Sequence, residues 1–236
     1  MTLSQFLINT RRQHPEAGGS FNELIHQIAL ACKAISRQIA KGALTGMHGE
    51  AGGDTNVQGE VVKKLDVVSN DIMLACTGSC EGLAGLVSEE MDNFASVHKK
   101  GKYLILFDPL DGSSNIDING TVGTIFSVLR KPNSTTKLKI EDFLQPGNKQ
   151  LAAGYALYGP STMLVLTLGD GVHGFTLDAE LGEFILTHPD MKLPHRASVF
   201  AINASNRRFW EAPVKRYVEE CLAGKSGPRG RDFNMS

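Results

Sequence analysis

Apolar residues recur at helical spacing between Ser20 and Lys41. Leu24, Ile25, Ile28, Ala31, Cys32, Ile35 and Ile39 fall on one face. Ser20 and Glu23 match a capping-box pattern at the start, and Gly42 supplies a stop. This predicts an amphipathic helix over 20–41. Residues 49–56 read as a Gly-rich loop. A second helical pattern covers Val61 to Thr77, with Leu65, Val68, Ile72 and Met73 inward and Gly78 as its stop. The pattern then shifts to short apolar runs. Leu83 to Val87, Tyr103 to Phe107 and Thr124 to Leu129 read as buried strands. After Pro132, strand-like runs follow at short intervals: Ala153 to Tyr158, Met163 to Thr167, His173 to Leu177 and Glu183 to Leu186. Gly169-Asp170-Gly171 has the composition of a hairpin connection. Val199 to Ile202 reads as one more strand, Phe209 to Leu222 as one more helix, and Gly224 to Arg231 as a loop. The order predicts an α/β domain over 1–145 and a strand-rich second domain over 146–236.

Composition changes this picture little. A chain of 236 residues, 42% hydrophobic and 21% charged, is long enough to bury a core. A formal net charge of −1 gives no electrostatic footprint for nucleic acid or a membrane surface. No run is long enough to span a bilayer, and residues 1–12 lack the pattern of a signal peptide. Cys32, Cys76, Cys80 and Cys221 lack zinc-site spacing and read as reduced, mostly buried thiols of a cytoplasmic protein. Neither H-E-x-x-H nor G-x-S-x-G occurs, and Gly224-Lys225-Ser226 lacks the upstream Gly of a P-loop.

The candidate chemistry lies at two predicted strand ends. The first run delivers Ser88-Glu89-Glu90, and the second delivers Asp108-Pro109-Leu110-Asp111-Gly112-Ser113-Ser114. A turn explains Asp-Gly-Ser-Ser alone equally well. If the two strands are neighbours, however, four carboxylates converge, and a hard divalent cation is the usual answer to their repulsion. Gly112, Ser113 and Ser114 offer amides and hydroxyls that suit a phosphate. Together they suggest metal-assisted attack on a phosphate ester. Asp66, inside the second helical pattern, reads as a solvated helix residue. Asn203 and Asn206 are explained as strand-end turn residues.

These segments resemble the class 1 fructose-1,6-bisphosphatase family. The likeness rests on Lys63 to Asp71, Val87-Ser88-Glu89-Glu90, Gly101-Lys102-Tyr103, Phe107 to Ile116, Gly123 to Phe126, Leu144 to Gly147, Ala152 to Gly159 and Gly182 to Leu186. It is collinear from Thr2 onward. It implies the layered α/β/α/β sugar phosphatase fold with its C-terminal part missing. The family continues beyond Ser236 with a further metal-binding Glu, a phosphate-binding Lys, and Arg and Tyr residues for the sugar phosphate.

The resemblance implies hydrolysis of the 1-phosphate of fructose 1,6-bisphosphate, as in gluconeogenesis, with Mg2+ or Mn2+ as cofactor. It assigns Glu89, Asp108, Leu110 (through its carbonyl) and Asp111 to the metals. Glu90, aided by Asp66, would activate water. Asp111, Gly112, Ser113 and Ser114 would bind the transferred phosphate, with Asn203 at the distal phosphate; Asn206 is a further candidate there, although it departs from the Tyr some relatives carry nearby. It also implies a homotetramer, and AMP as an inhibitor near Ser20, Lys102 and Tyr103, where a plain capped helix is the alternative. Sedoheptulose 1,7-bisphosphate or an inositol phosphate remain alternative substrates, and an inactive fragment with an assembly or regulatory role is the alternative from another class.

Overall fold

The computed structural model describes residues 1–13, 19–45, 50–55, 61–132 and 137–235. In chain order the elements are helices α1 (Leu3–Gln13) and α2 (Gly19–Lys41), then strands β1 (Glu50–Thr55) and β2 (Val61–Lys63), then helix α3 (Lys64–Gly78). Strands β3 (Leu83–Ser88), β4 (Ala95–Ser96), β5 (Tyr103–Asp111), β6 (Val122–Arg130), β7 (Ala152–Tyr158), β8 (Thr162–Thr167), β9 (His173–Asp178) and β10 (Glu183–His188) follow. The remainder holds β11 (Val199–Phe200), α4 (Ala212–Leu222) and β12 (Asn234–Met235). The fold is mixed α/β, as the pattern implied. Among the described residues no helix is long and apolar enough to cross a membrane.

Strands β3 to β10 form an eight-stranded sheet in the order β10-β9-β8-β7-β6-β5-β3-β4. Only β3 and β5 run parallel within it; every other neighbour pair is antiparallel. The period-2 alternation of the strands gives the sheet two unlike faces. On one, Phe126, Val128, Ala156, Leu164 and Phe175 pack with Leu3 and Leu7 of α1, the apolar stripe of α2, and Leu65 and Met73 of α3. On the other, Ala84, Leu104 and Leu129 pack under Leu138 and Phe143.

Several expectations are corrected. Residues 50–55 are strand β1, not loop, paired antiparallel with Val61–Lys63; Gly49 and Asn56 lie outside the described residues. The β-branched Val61 and Val62 enter that ribbon, so α3 starts later than periodicity suggested. Helix α2 already includes Gly19, so Ser20 lies inside its first turn rather than capping it. Gly42 does follow its end, with φ 51°.

The chain divides into compact units at Met1–Met191 and Lys192–Ser236. The division expected at residue 145 falls inside the first unit, because β6 pairs with β7 along its full length and binds the later strands to the same sheet. In the second unit, β11 pairs parallel with β12, the Phe200 ring meets Tyr217 and Phe233, and Val218 and Cys221 of α4 are buried.

The parallel β3–β5 pair sets a testable packing limit. A Cβ on Gly101 would stand 2.3 Å from the Ala84 amide nitrogen, whereas one on Gly78 meets nothing within 4 Å. Backbone cannot yield as a side chain does, so Gly101→Ala should cost roughly 2–3 kcal/mol through overpacking. Gly78→Ala should stabilise by roughly 0.5 kcal/mol through helix propensity and unfolded-state entropy. Denaturant unfolding of both variants checks this; equal stabilities would contradict the packing.

Candidate active site

The parallel pairing of β3 with β5 brings the two acidic strand ends together. Ser88 pairs with Phe107, and the Glu89 amide donates to the Phe107 carbonyl at 3.1 Å. Glu89 therefore stands beside Asp108, the next residue of β5. A short network holds the Glu89–Glu90 turn. The buried Ser88 hydroxyl donates to Asn70 Oδ1 of α3 at 2.7 Å and accepts from the Glu90 amide at 3.3 Å. The sequence reading named Ser88 within the acidic strand end but gave it no role, although its place just before the acidic pair was a usable signal.

Beyond Asp108 the β5–β6 ladder skips, and β5 reaches Asp111 through a bulge. Asp108 Oδ1 accepts from the Leu110 amide across Pro109 at 2.9 Å. Gly112 then turns with φ 79°, a conformation that suits glycine, and a 3-10 turn over Ser113–Ile118 follows. The first amides of such a turn have no partner within it.

Asp66 completes the group from the first turn of α3. Its Oδ2 accepts from the Lys63 amide at 2.6 Å, while Oδ1 is buried without a partner. Lys63 also reaches Asp117 of the 3-10 turn with its ammonium group at 3.0 Å, tying the start of α3 to that turn. Asp66, Glu89, Glu90, Asp108, Leu110, Asp111, Gly112 and Ser113 line one cleft of about 840 Å³. Leu106, Ile125, Ala153, Tyr155 and Val165 form much of its apolar wall, and Ser127 and Gln150 add polar groups the sequence reading did not single out.

The carboxylates are crowded. Burial pushes Asp108 from the usual 3.8 to about 7, aided by a hydrogen bond with Glu89 and by the charges of Glu89 and Asp111. Burial also raises Asp66, against the Lys63 amide and the Ser113 hydroxyl, which favour its charged form. An all-oxygen donor set of this kind suits a hard cation such as magnesium or manganese. Among the described residues, no three Asp, Glu, His or Cys side chains stand together as a ready metal cage. The set fits in chemistry, with the Glu89–Asp108 hydrogen bond occupying the ground where a cation would relieve the repulsion.

The other expected site residues are placed as follows. Ser114 is exposed on the 3-10 turn and is not among the residues that line the cleft. Asn203 and Asn206 belong to the second unit. There Asn203 Oδ1 accepts from the Ser205 amide at 3.1 Å, and the Asn206 amide donates to the Asn203 carbonyl at 3.2 Å, which is a helix-cap arrangement. Ser20, Lys102 and Tyr103 gather around Gly82, whose carbonyl accepts from the Lys102 and Tyr103 amides. Tyr103 is buried against Phe21, so of the three Lys102 is exposed and Ser20 partly so.

Residues 1–189 match the family model described as "Fructose-1-6-bisphosphatase, N-terminal domain". The chain is 58% identical to a protein of Hydrogenophilus thermoluteolus named fructose-1,6-bisphosphatase class 1, over 99% of this chain and 66% of the relative. It is 57% identical to one from Methylibium petroleiphilum with the same coverage. The chain thus spans just under two thirds of these curated relatives. It is also similar to the crystal structure of Leishmania major fructose-1,6-bisphosphatase in holo form. The TM-score is 0.90 at 37% identity, covering all of this chain and 72% of that one.

The crowding predicts a pH signature in the metal-free chain. Between the usual 3.8 and about 7, folded Asp108 binds a proton that the unfolded chain releases. Stability from this source is complete below the unfolded value and lost as pH rises through the folded one; Asp66 acts in the same sense. With chelator present, the Tm difference between wild type and Asp108→Asn should narrow or reverse as pH rises over this window. A difference that does not change with pH contradicts the raised value of Asp108.

Proposed function

The chain belongs to the class 1 fructose-1,6-bisphosphatase family, and we propose that it hydrolyses the 1-phosphate of fructose 1,6-bisphosphate to give fructose 6-phosphate and inorganic phosphate. The observation that carries this reading is the convergence of Glu89 and Asp108 from neighbouring strand ends beside the Gly112–Ser113 turn, in one cleft. Glu89, Asp108, Asp111 and the Leu110 carbonyl would hold magnesium, with manganese as a substitute. Such an ion supplies Lewis acidity and neutralises charge on the phosphoryl group.

The protein groups divide the remaining work. The Gly112–Ser113 turn presents amides and a hydroxyl to the phosphate oxygens. Glu90 accepts the proton of the attacking water as the new P–O bond forms and the bond to the sugar oxygen breaks. Asp66 Oδ1, which is buried without a partner, would accept a hydrogen bond from that water. The apolar wall lowers the local dielectric and strengthens each of these interactions. From the family resemblance the proposal extends to AMP as an inhibitor at the Ser20–Lys102 surface and to a homotetramer. It also places the protein in the cytoplasm, consistent with its four unpaired cysteines.

Phosphate release assayed with fructose 1,6-bisphosphate, sedoheptulose 1,7-bisphosphate and inositol 1-phosphate tests the substrate, and turnover on the first should dominate. Asp108→Ala should reduce activity by at least about a thousandfold, equivalent to roughly 4 kcal/mol of transition-state stabilisation, while the fold survives. Near-normal activity would refute the metal role. Glu90→Gln should lose about a hundredfold in kcat with little change in manganese affinity. Equal loss of metal binding would make Glu90 a ligand instead.

A further inference from the structure

The bulge that carries the acidic residues has its own support. In the β5–β6 ladder, Asp108 pairs with Ile125 and pairing resumes at Asp111 with Gly123. Pro109 and Leu110 therefore stand opposite one residue, Thr124. A bulge interrupts the ladder bonds, and Pro109 has no amide hydrogen to offer in exchange. Its carbonyl is nevertheless satisfied: the Thr124 hydroxyl donates to it at 2.8 Å.

Thr124 is fully buried, and its Oγ1 also lies 2.7 Å from the hydroxyl of Tyr158 on β7, which is 4% exposed. A threonine hydroxyl has one hydrogen. Since Thr124 gives its hydrogen to Pro109, Tyr158 is the donor to Thr124. The thiol of Cys32 on α2 interacts with the Tyr158 hydroxyl at the far end. A polar chain thus runs from the helical layer through two central strands to the backbone between Asp108 and Asp111. Water is largely excluded from it, so a broken link leaves a buried polar atom unpaired.

We infer that Thr124 and Tyr158 are positioning residues whose hydrogen-bonded chain to the Pro109 carbonyl holds the β5 bulge in the shape that presents Asp108, Leu110 and Asp111 to a cation. The inference rests on the metal reading of those residues proposed above. A core threonine–tyrosine pair with no bearing on the site would support stability alone, and local measurements separate the two roles.

The test uses Thr124→Val, which keeps shape and loses the hydroxyl, with Thr124→Ser as the rescue and Tyr158→Phe as a second break. Hydrogen–deuterium exchange over 107–113 and Mn2+ calorimetry are the readouts. Thr124→Val should speed exchange in that segment about tenfold or more, as loss of one buried hydrogen bond would, and leave β8 and β9 unchanged. It should weaken Mn2+ about 10–100-fold, as loss of an orienting partner does. Thr124→Ser should restore both, and kcat should fall more than KM changes. If Thr124→Val does not fold, Tyr158→Phe reads the same exchange. Wild-type exchange and Mn2+ affinity in a merely less stable variant would overturn the positioning role. A wild type that binds no Mn2+ would sink the metal reading alone, leaving exchange to decide the rest.

Discussion

Like charges on neighbouring strand ends are the constraint on which the rest of the site depends. Glu89 and Asp108 are brought side by side because β3 and β5 are the sheet's one parallel pair, so both chains end in the same direction. Antiparallel pairing would have sent the two acidic ends to opposite edges. Burial first, and then the hydrogen bond and charge of Glu89, push Asp108 to about 7, so the folded chain meets the repulsion by holding a proton on Asp108. A divalent cation meets it better, since it neutralises more charge and accepts several oxygens at once. Structural features nearby serve the same end. Ser88 fastens the Glu89–Glu90 turn to α3, and Lys63 links the start of that helix to the 3-10 turn after Gly112.

Much of this was legible in the sequence, for a physical reason. Glu89, Glu90, Asp108 and Asp111 each follow an apolar run, and a buried parallel strand is such a run. Neighbouring strand ends were then the only added assumption. The long apolar stripe from Leu24 to Ile35 likewise specified α2, because a helical period sustained over many residues admits few other structures.

What stayed hidden depends on tertiary contacts. Thr124 reads as an ordinary strand residue, and only the bulge opposite it makes its hydroxyl significant. Ala51-Gly52-Gly53 has the composition of a loop, yet pairing with Val61–Lys63 makes its neighbourhood a strand. Tyr103 was grouped with Lys102 through the family resemblance; a strand sends successive side chains to opposite faces, and Tyr103 packs in the core. The division at 145 failed similarly: the run of strands after Pro132 looked like a new domain, and their pairing partners extended the first sheet. The family match over residues 1–189 ends beside that observed division.

The central claim is that the site proposed at the β3 and β5 ends would exchange a proton held on Asp108 for a divalent cation. Calorimetric titration of Mn2+ at pH 6 and pH 8, in buffers of different ionisation enthalpy, measures this directly. The account predicts that binding at pH 6 releases close to one proton and that release shrinks toward zero at pH 8, because the folded value of Asp108 lies near 7. Glu89→Gln should weaken the binding. Absence of binding, or binding with the same proton release at both pH values and no response to Glu89→Gln, would contradict it.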